Sequence, residues 1–242
     1  SAASDVYKRQ AKYELKVIVG TPTYAIPSWL AKKYPDILAV THNGKELYGH
    51  RQNMDITNPD YLHHAQIIIE KLMEQVKDYD CVIGFQLDNE TKPYDTCSKY
   101  AQAKFVEYLK NEFPDIDEFN REFGLDYWSN RVDDWDAFPD IRGTINMSLD
   151  AEYKKFQRKL VTDFFAWQAD IVKKYKRDDQ FITHNFDFEW HDYSYGMQPE
   201  VNQYEAAKCM DIAGCDIYHP SQSSLSAVSY THLRAHETLS DL

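Results

Sequence analysis

The 242-residue chain carries 39 acidic against 27 basic side chains, a formal net charge of −12. That balance excludes the basic surface that nucleic acid or an anionic membrane requires. No stretch approaches the ~20 consecutive apolar residues of a membrane span. The length suffices for one sizeable core. Aromatic residues make up 14% of the chain, with 18 Tyr and 5 Trp. They suit stacking on sugar rings, and they equally suit ordinary core filling. The four cysteines, Cys81, Cys97, Cys209 and Cys215, show no CxxC spacing and no disulfide framework. They predict thiols in a reducing, cytoplasmic compartment, with Cys81 and Cys215 buried in apolar runs.

In chain order, 16–20 (Lys-Val-Ile-Val-Gly) reads as a strand ending at Thr21-Pro22-Thr23. A short helix over 27–34 is stopped by Pro35, and 36–58 is rich in loops. Asn58-Pro59 supplies an N-cap and an N1 proline. The helix that follows is expected to bury Ile67, Ile68, Leu72 and Val76. A strand over 81–87 comes next, then a helix from Ser98 to Glu112 with Phe105, Val106 and Leu109 inward. A short helix over 117–123 is ended by Gly124. Residues 125–145 lack periodicity. Of their tryptophans, Trp128 is expected in the core and Trp135 at the surface, and either could wall a sugar subsite, its own or a neighbouring subunit's. Asp150 is expected to cap the longest helix. Its Phe156, Leu160, Phe164, Trp167 and Ile171 recur at steps of four, four, three and four, one helical stripe. A strand at 181–184, a helix over 199–210 and a strand over 212–217 complete the pattern. Between the last strand pair, residues 189–193 (Glu-Trp-His-Asp-Tyr) read as a structural loop. Strands alternating with helices predict an α/β fold of parallel βαβ units.

The most informative stretch is Ile83-Gly84-Phe85-Gln86-Leu87-Asp88-Asn89-Glu90, a buried strand with a polar, acidic tip. The C-terminal ends of parallel strands are where catalytic groups gather in barrel enzymes. An amide beside a carboxyl can hold a sugar hydroxyl while the carboxyl gives a proton to a glycosidic oxygen. Asp88, on the alternate face, is expected in the wall of the sheet or against a cation. By the same positional logic, His184 and Asn185 at the end of their strand are candidates for either substrate contact or simple capping.

Around this stretch lie Val17-Ile18-Val19-Gly20-Thr21-Pro22-Thr23, Pro27-Ser28-Trp29-Leu30 and Gly49-His50-Arg51-Gln52-Asn53. Downstream are Tyr127-Trp128-Ser129, Thr183-His184-Asn185-Phe186 and Asp216-Ile217-Tyr218. In this order and spacing, over about residues 12–220, the chain resembles the N-terminal catalytic domain of glycoside hydrolase family 42 β-galactosidases. The resemblance implies a retaining glycosidase acting on terminal β-galactosides, without a cofactor, commonly a homotrimer. It implies that Glu90 is the acid/base, Asn89 its sugar-binding neighbour, Arg51 a substrate-side arginine and Tyr218 a tyrosine near the nucleophile. Asn185 joins them as a substrate-binding candidate.

The fold implied is a (β/α)8 TIM barrel, of which the four strands are about the third to the sixth. The family's nucleophile follows the seventh strand, so only one carboxylate of the pair is expected here. Many members hold a structural zinc in a cysteine cluster after the Asn-Glu motif. Here that segment has only Cys97, and Asp55 stands where another cysteine is often found, so no metal is expected. Residues 1–10 and 226–242 depart from the pattern and look like translated adapter sequence, which leaves 11–225 as the domain. Alternative readings are another retaining barrel glycosidase, or a non-catalytic carbohydrate-binding barrel.

Overall fold

The structure, a computed structural model, describes residues 8–49, 53–143, 145–187, 190–191, 194–195 and 200–216. The two chain ends, with most of the segments expected to be foreign, lie outside these residues, as do Arg51 and Tyr218. After a helical turn over 8–12 (α1) come β1 (Val17–Gly20) and α2 (Ser28–Lys33). A small hairpin of β2 (Val40–Thr41) and β3 (Gly44–Lys45) precedes α3 (Pro59–Val76) and β4 (Val82–Gln86). Then follow α4 (Lys99–Glu112), α5 (Ile116–Glu122), the long α6 (Met147–Lys173) and β5 (Phe181–Asp187). A second hairpin, β6 (Trp190–His191) with β7 (Ser194–Tyr195), leads to α7 (Gln203–Ala207) and β8 (Ile212–Asp216).

The four longer strands form one sheet in the order β1-β4-β5-β8, and all three pairings are parallel. Spatial order follows chain order. With right-handed crossovers, that order puts every connecting helix on the same side of the sheet. Burial along β5 shows the consequence. Ile182, His184 and Phe186 are buried, while Phe181, Thr183 and Asn185 alternate with them half-exposed. Phe165 of α6 lies on the buried side, against the rings of His184 and Phe186.

The helices form where the sequence supplies caps. The Asn58 side chain accepts the Tyr61 N–H at 3.0 Å, with Pro59 at the first helical position,. The buried stripe of α3 is Tyr61, Ala65, Ile69, Met73 and Val76. Ile67 and Ile68 instead face outward, at 42% and 47% exposure. Three consecutive isoleucines leave the inward one undetermined; Ala65 and Tyr61, about one and two turns upstream, select Ile69,.

The cap of α6 is Asn146, whose side chain accepts the Leu149 N–H at 2.9 Å. Asp150 sits inside the first turn, where its charge complements the helix dipole, and pairs with Lys154,. The expected α6 stripe is inward, with Phe156, Leu160, Phe164 and Ile171 buried and Trp167 partly so. Tyr153, Phe165 and Gln168 widen that face. Each large apolar side chain buried here contributes roughly 1.5–3 kcal/mol. α7 is shorter than expected and starts at Asn202, whose side chain accepts the Glu205 N–H.

The two tryptophans exchange their expected places. Trp135 packs on Phe119 and Phe138, whereas Trp128 is 89% exposed with a left-handed backbone, φ 48°. Below it, Arg131 ties Asp117, Asp126 and Asp133 together. Cys81 is buried as expected. Cys215 is exposed, because β8 lies at the border of the sheet among the described residues. No helix among them is long and apolar enough to cross a membrane.

Candidate active site

Strand β4 ends at Gln86, and Leu87 still donates its N–H to the Thr183 carbonyl. The chain then turns through left-handed conformations at Asp88 (φ 46°) and Glu90 (φ 45°). Such angles are uncommon outside glycine and need support from their surroundings. That support comes from both sides of the turn.

On the open side, Asn185 at the end of β5 holds the two residues of interest. Its Oδ1 accepts the Glu90 N–H at 3.3 Å, and its Nδ2 donates to Asn89 Oδ1 at 3.1 Å. The same Nδ2 donates to Asp216 Oδ2 at 2.7 Å, reaching the end of β8. Asn89 in turn donates to Glu90 Oε2 at 3.3 Å. All four side chains are half-buried, and they sit at or just past the C-terminal ends of β4, β5 and β8. A carboxyl thus lies among amide donors and acceptors at a water-accessible edge. That arrangement can orient a polyhydroxylated ligand and exchange a proton with it.

Of the five candidates from the sequence, Glu90, Asn89 and Asn185 come together; Arg51 and Tyr218 lie outside the described residues. Asp216 was not singled out. Its position at a strand end, two residues before Tyr218, was the available signal.

Behind the turn is a buried polar layer. Asp88 is 2% exposed. Its Oδ1 accepts the Thr23 hydroxyl at 2.6 Å and its Oδ2 the Thr91 hydroxyl at 2.5 Å. Its N–H donates to Thr21 Oγ1 at 2.7 Å, and Thr21 passes its own proton to Gln168 of α6 at 2.6 Å. Burial pushes the Asp88 carboxyl up to about 6, against the opposing pull of the two hydroxyls and the Asn89 N–H,. Among the described residues no basic side chain contributes to its environment, so the expected wall position holds rather than the expected cation.

His184 is buried one residue before Asn185. Its Nδ1 lies 2.6 Å from the Leu87 carbonyl. A carbonyl only accepts, so Nδ1 carries the proton. Burial lowers the imidazole to about 4, partly offset by that bond and by Asp216. His184 is therefore a neutral brace between β4 and β5, not a proton donor at neutral pH.

The residues near Cys97 do not fit a metal. The Cys97 thiol donates to the Val40 carbonyl at 3.0 Å, and burial raises it to about 11. Asp55 is filled by the Thr57 N–H, the Thr57 hydroxyl and the Ser98 hydroxyl. Ser98 also accepts the Tyr100 and Ala101 N–H groups, so this carboxylate reinforces the cap of α4. No group of three or more His, Cys, Asp or Glu among the described residues could hold a metal ion.

Residues 4–242 match the profile of glycoside hydrolase family 42, described as beta-galactosidase. The chain belongs to this family. Among curated relatives, the β-galactosidase of Thermus thermophilus is 30% identical over 214 residues, covering 84% of this chain and 31% of that protein. The β-galactosidase LacZ of Lactobacillus acidophilus is 27% identical over 231 residues, covering 90% of this chain and 33% of its own. The crystal structure of a β-galactosidase from Bacillus circulans sp. alkalophilus superimposes with a TM-score of 0.82 at 26% identity, over 95% of this chain and 34% of that one. The chain spans about a third of the length of these relatives.

Proposed function

We propose that this chain is the acid/base-bearing part of a retaining β-galactosidase. The observation that carries the reading is the convergence of Asn89, Glu90 and Asn185 at the C-terminal edge of a parallel sheet, in a chain of this family. The sheet is read as strands three to six of a (β/α)8 barrel. Its sequential order, with no reversal, supports a closed barrel over a doubly wound sheet,. Residues 11–225 are the domain on this reading.

Glu90 gives its proton to the glycosidic oxygen as the bond to the sugar breaks. A carboxylate from a later strand forms the glycosyl-enzyme bond. Glu90 then takes a proton from the water that displaces that carboxylate. Asn89 and Asn185 hold sugar hydroxyls, Arg51 grips the substrate through its forked donors, and Tyr218 stands near the nucleophile. The complete protein is a homotrimer that acts on β-galactoside oligosaccharides. The four cysteines, none of them in a disulfide, support a cytoplasmic setting,.

The test is Glu90→Gln in the complete protein, assayed on β-galactosides of graded leaving-group acidity. Glycosylation should slow by about 10²–10⁴-fold for alkyl leaving groups, which need the proton. Activated aryl leaving groups should be much less affected. An equal loss for both classes would show that Glu90 is not the acid. The 242-residue chain alone should not turn over any of these substrates.

A further inference from the structure

We propose that Asp88 is a positioning residue for Glu90: its buried carboxylate anchors the left-handed turn that delivers Asn89 and Glu90 to the open edge of the sheet. The proposal rests on the reading of Glu90 as the proton donor. Asp88 itself touches no open space, so it does not meet substrate. Its two oxygens are divided between elements far apart in sequence. Thr23, after β1, holds one, and Thr91, just past the turn, holds the other. The backbone is fixed as well. Asp88 N–H is given to Thr21, and Gln86 Nε2 donates to the Asp88 carbonyl at 3.0 Å.

The turn is therefore clamped at Asp88 and after Glu90, and on its exposed side Asn185 holds both Asn89 and Glu90. Two non-glycine residues at positive φ, separated by one, keep that conformation only while these contacts hold,. In this arrangement both side-chain oxygens of Asp88 act as acceptors. Both threonine hydroxyls point their protons inward, and Thr21 already donates to Gln168. An amide at position 88 would turn an N–H toward one of these hydroxyls, which would then have to send its proton elsewhere, for Thr23 to the longer 3.4 Å contact with Gln168 Oε1,. The substitution is nearly isosteric, so its effect isolates the hydrogen bonding from packing.

The experiment compares wild type, Asp88→Asn and Thr91→Val in the complete protein. The substrates are an alkyl β-galactoside and a dinitrophenyl β-galactoside. Asp88→Asn should lower kcat on the alkyl substrate by about 10- to 100-fold, part of the general-acid contribution. On the dinitrophenyl substrate the loss should stay within about threefold, with KM changed little on either. Thr91→Val, which removes one clamp, should shift the ratio the same way by a smaller factor, and it serves where Asp88→Asn does not fold. Equal losses on both substrates overturn the proposal. Amide hydrogen exchange gives a readout independent of turnover: exchange should quicken at 88–91 and stay as in wild type at 82–86. Unchanged exchange at 88–91 also overturns it. Failure of the catalytic reading looks different: a wild-type protein inactive on every β-galactoside, with the loosened turn still present in Asp88→Asn.

Discussion

Asp88, in the turn after β4, and His184, in the neighbouring β5, are shifted in opposite senses. The Asp88 carboxyl is raised from 3.8 to about 6, so the folded state holds its proton more tightly than the unfolded chain. Its stabilising contribution is full below pH 3.8 and is lost as pH rises through 6. The His184 imidazole is lowered from 6.5 to about 4. Its contribution is full above pH 6.5 and is lost as pH falls through 4. Each shift corresponds to about 3 kcal/mol. Between pH 4 and 6 the two slopes cancel. Urea midpoints should therefore fall with rising pH in His184→Gln and rise with pH in Asp88→Asn, relative to wild type. Parallel profiles for the three proteins would refute this. At this scale Asn89, Glu90 and Asn185 were legible as candidates, because strand tips are local features, and the fold brings the three side chains together. The layer beneath them was not legible. Thr23 meets Asp88 across 65 positions and Thr21 meets Gln168 across 147, and no periodicity encodes such pairings.

Among the elements, the four parallel strands were readable as apolar runs ending in polar residues, and their bounds differ from expectation by at most three residues. The two hairpins were not, since strands of two residues carry no alternation. Helix faces were readable where a stripe was unique, as on α6, and misread where three isoleucines run together on α3. The glycines of the sheet differ in a way that tests its packing. A Cβ on Gly84 would fall about 2.6 Å from the Phe181 ring, a side chain that can rotate away. On Gly214 it would fall 2.7 Å from the backbone carbonyl of His184, which cannot. Gly214→Ala should therefore cost more stability than Gly84→Ala, about 3 against about 1–2 kcal/mol by the scale of overpacking. Thermal unfolding of the two variants decides, and the reverse order would show that β8 is not seated against β5 as described.

For the molecule as a whole, β1 and β8 border the sheet among the described residues, and both leave apolar side chains half-exposed, Ile18 at 50% and Ile212 at 49%. Unpaired strand borders recruit other chains. The 242-residue chain on its own should self-associate with rising concentration, seen by light scattering. Ile18→Lys should reduce that association without altering the circular dichroism of the helices. A wild-type chain that stays monomeric at about 100 μM, a concentration at which exposed edges associate, would argue against this. The monotonic order of the strands also bears on how the chain acquires its shape. Within the parallel sheet each strand pairs with the sheet strand that precedes it in the chain, so every new unit meets a partner strand already synthesised,. Such a sheet extends along its border like a wall laid course by course, and until the next course arrives each new border is a surface another chain can take,.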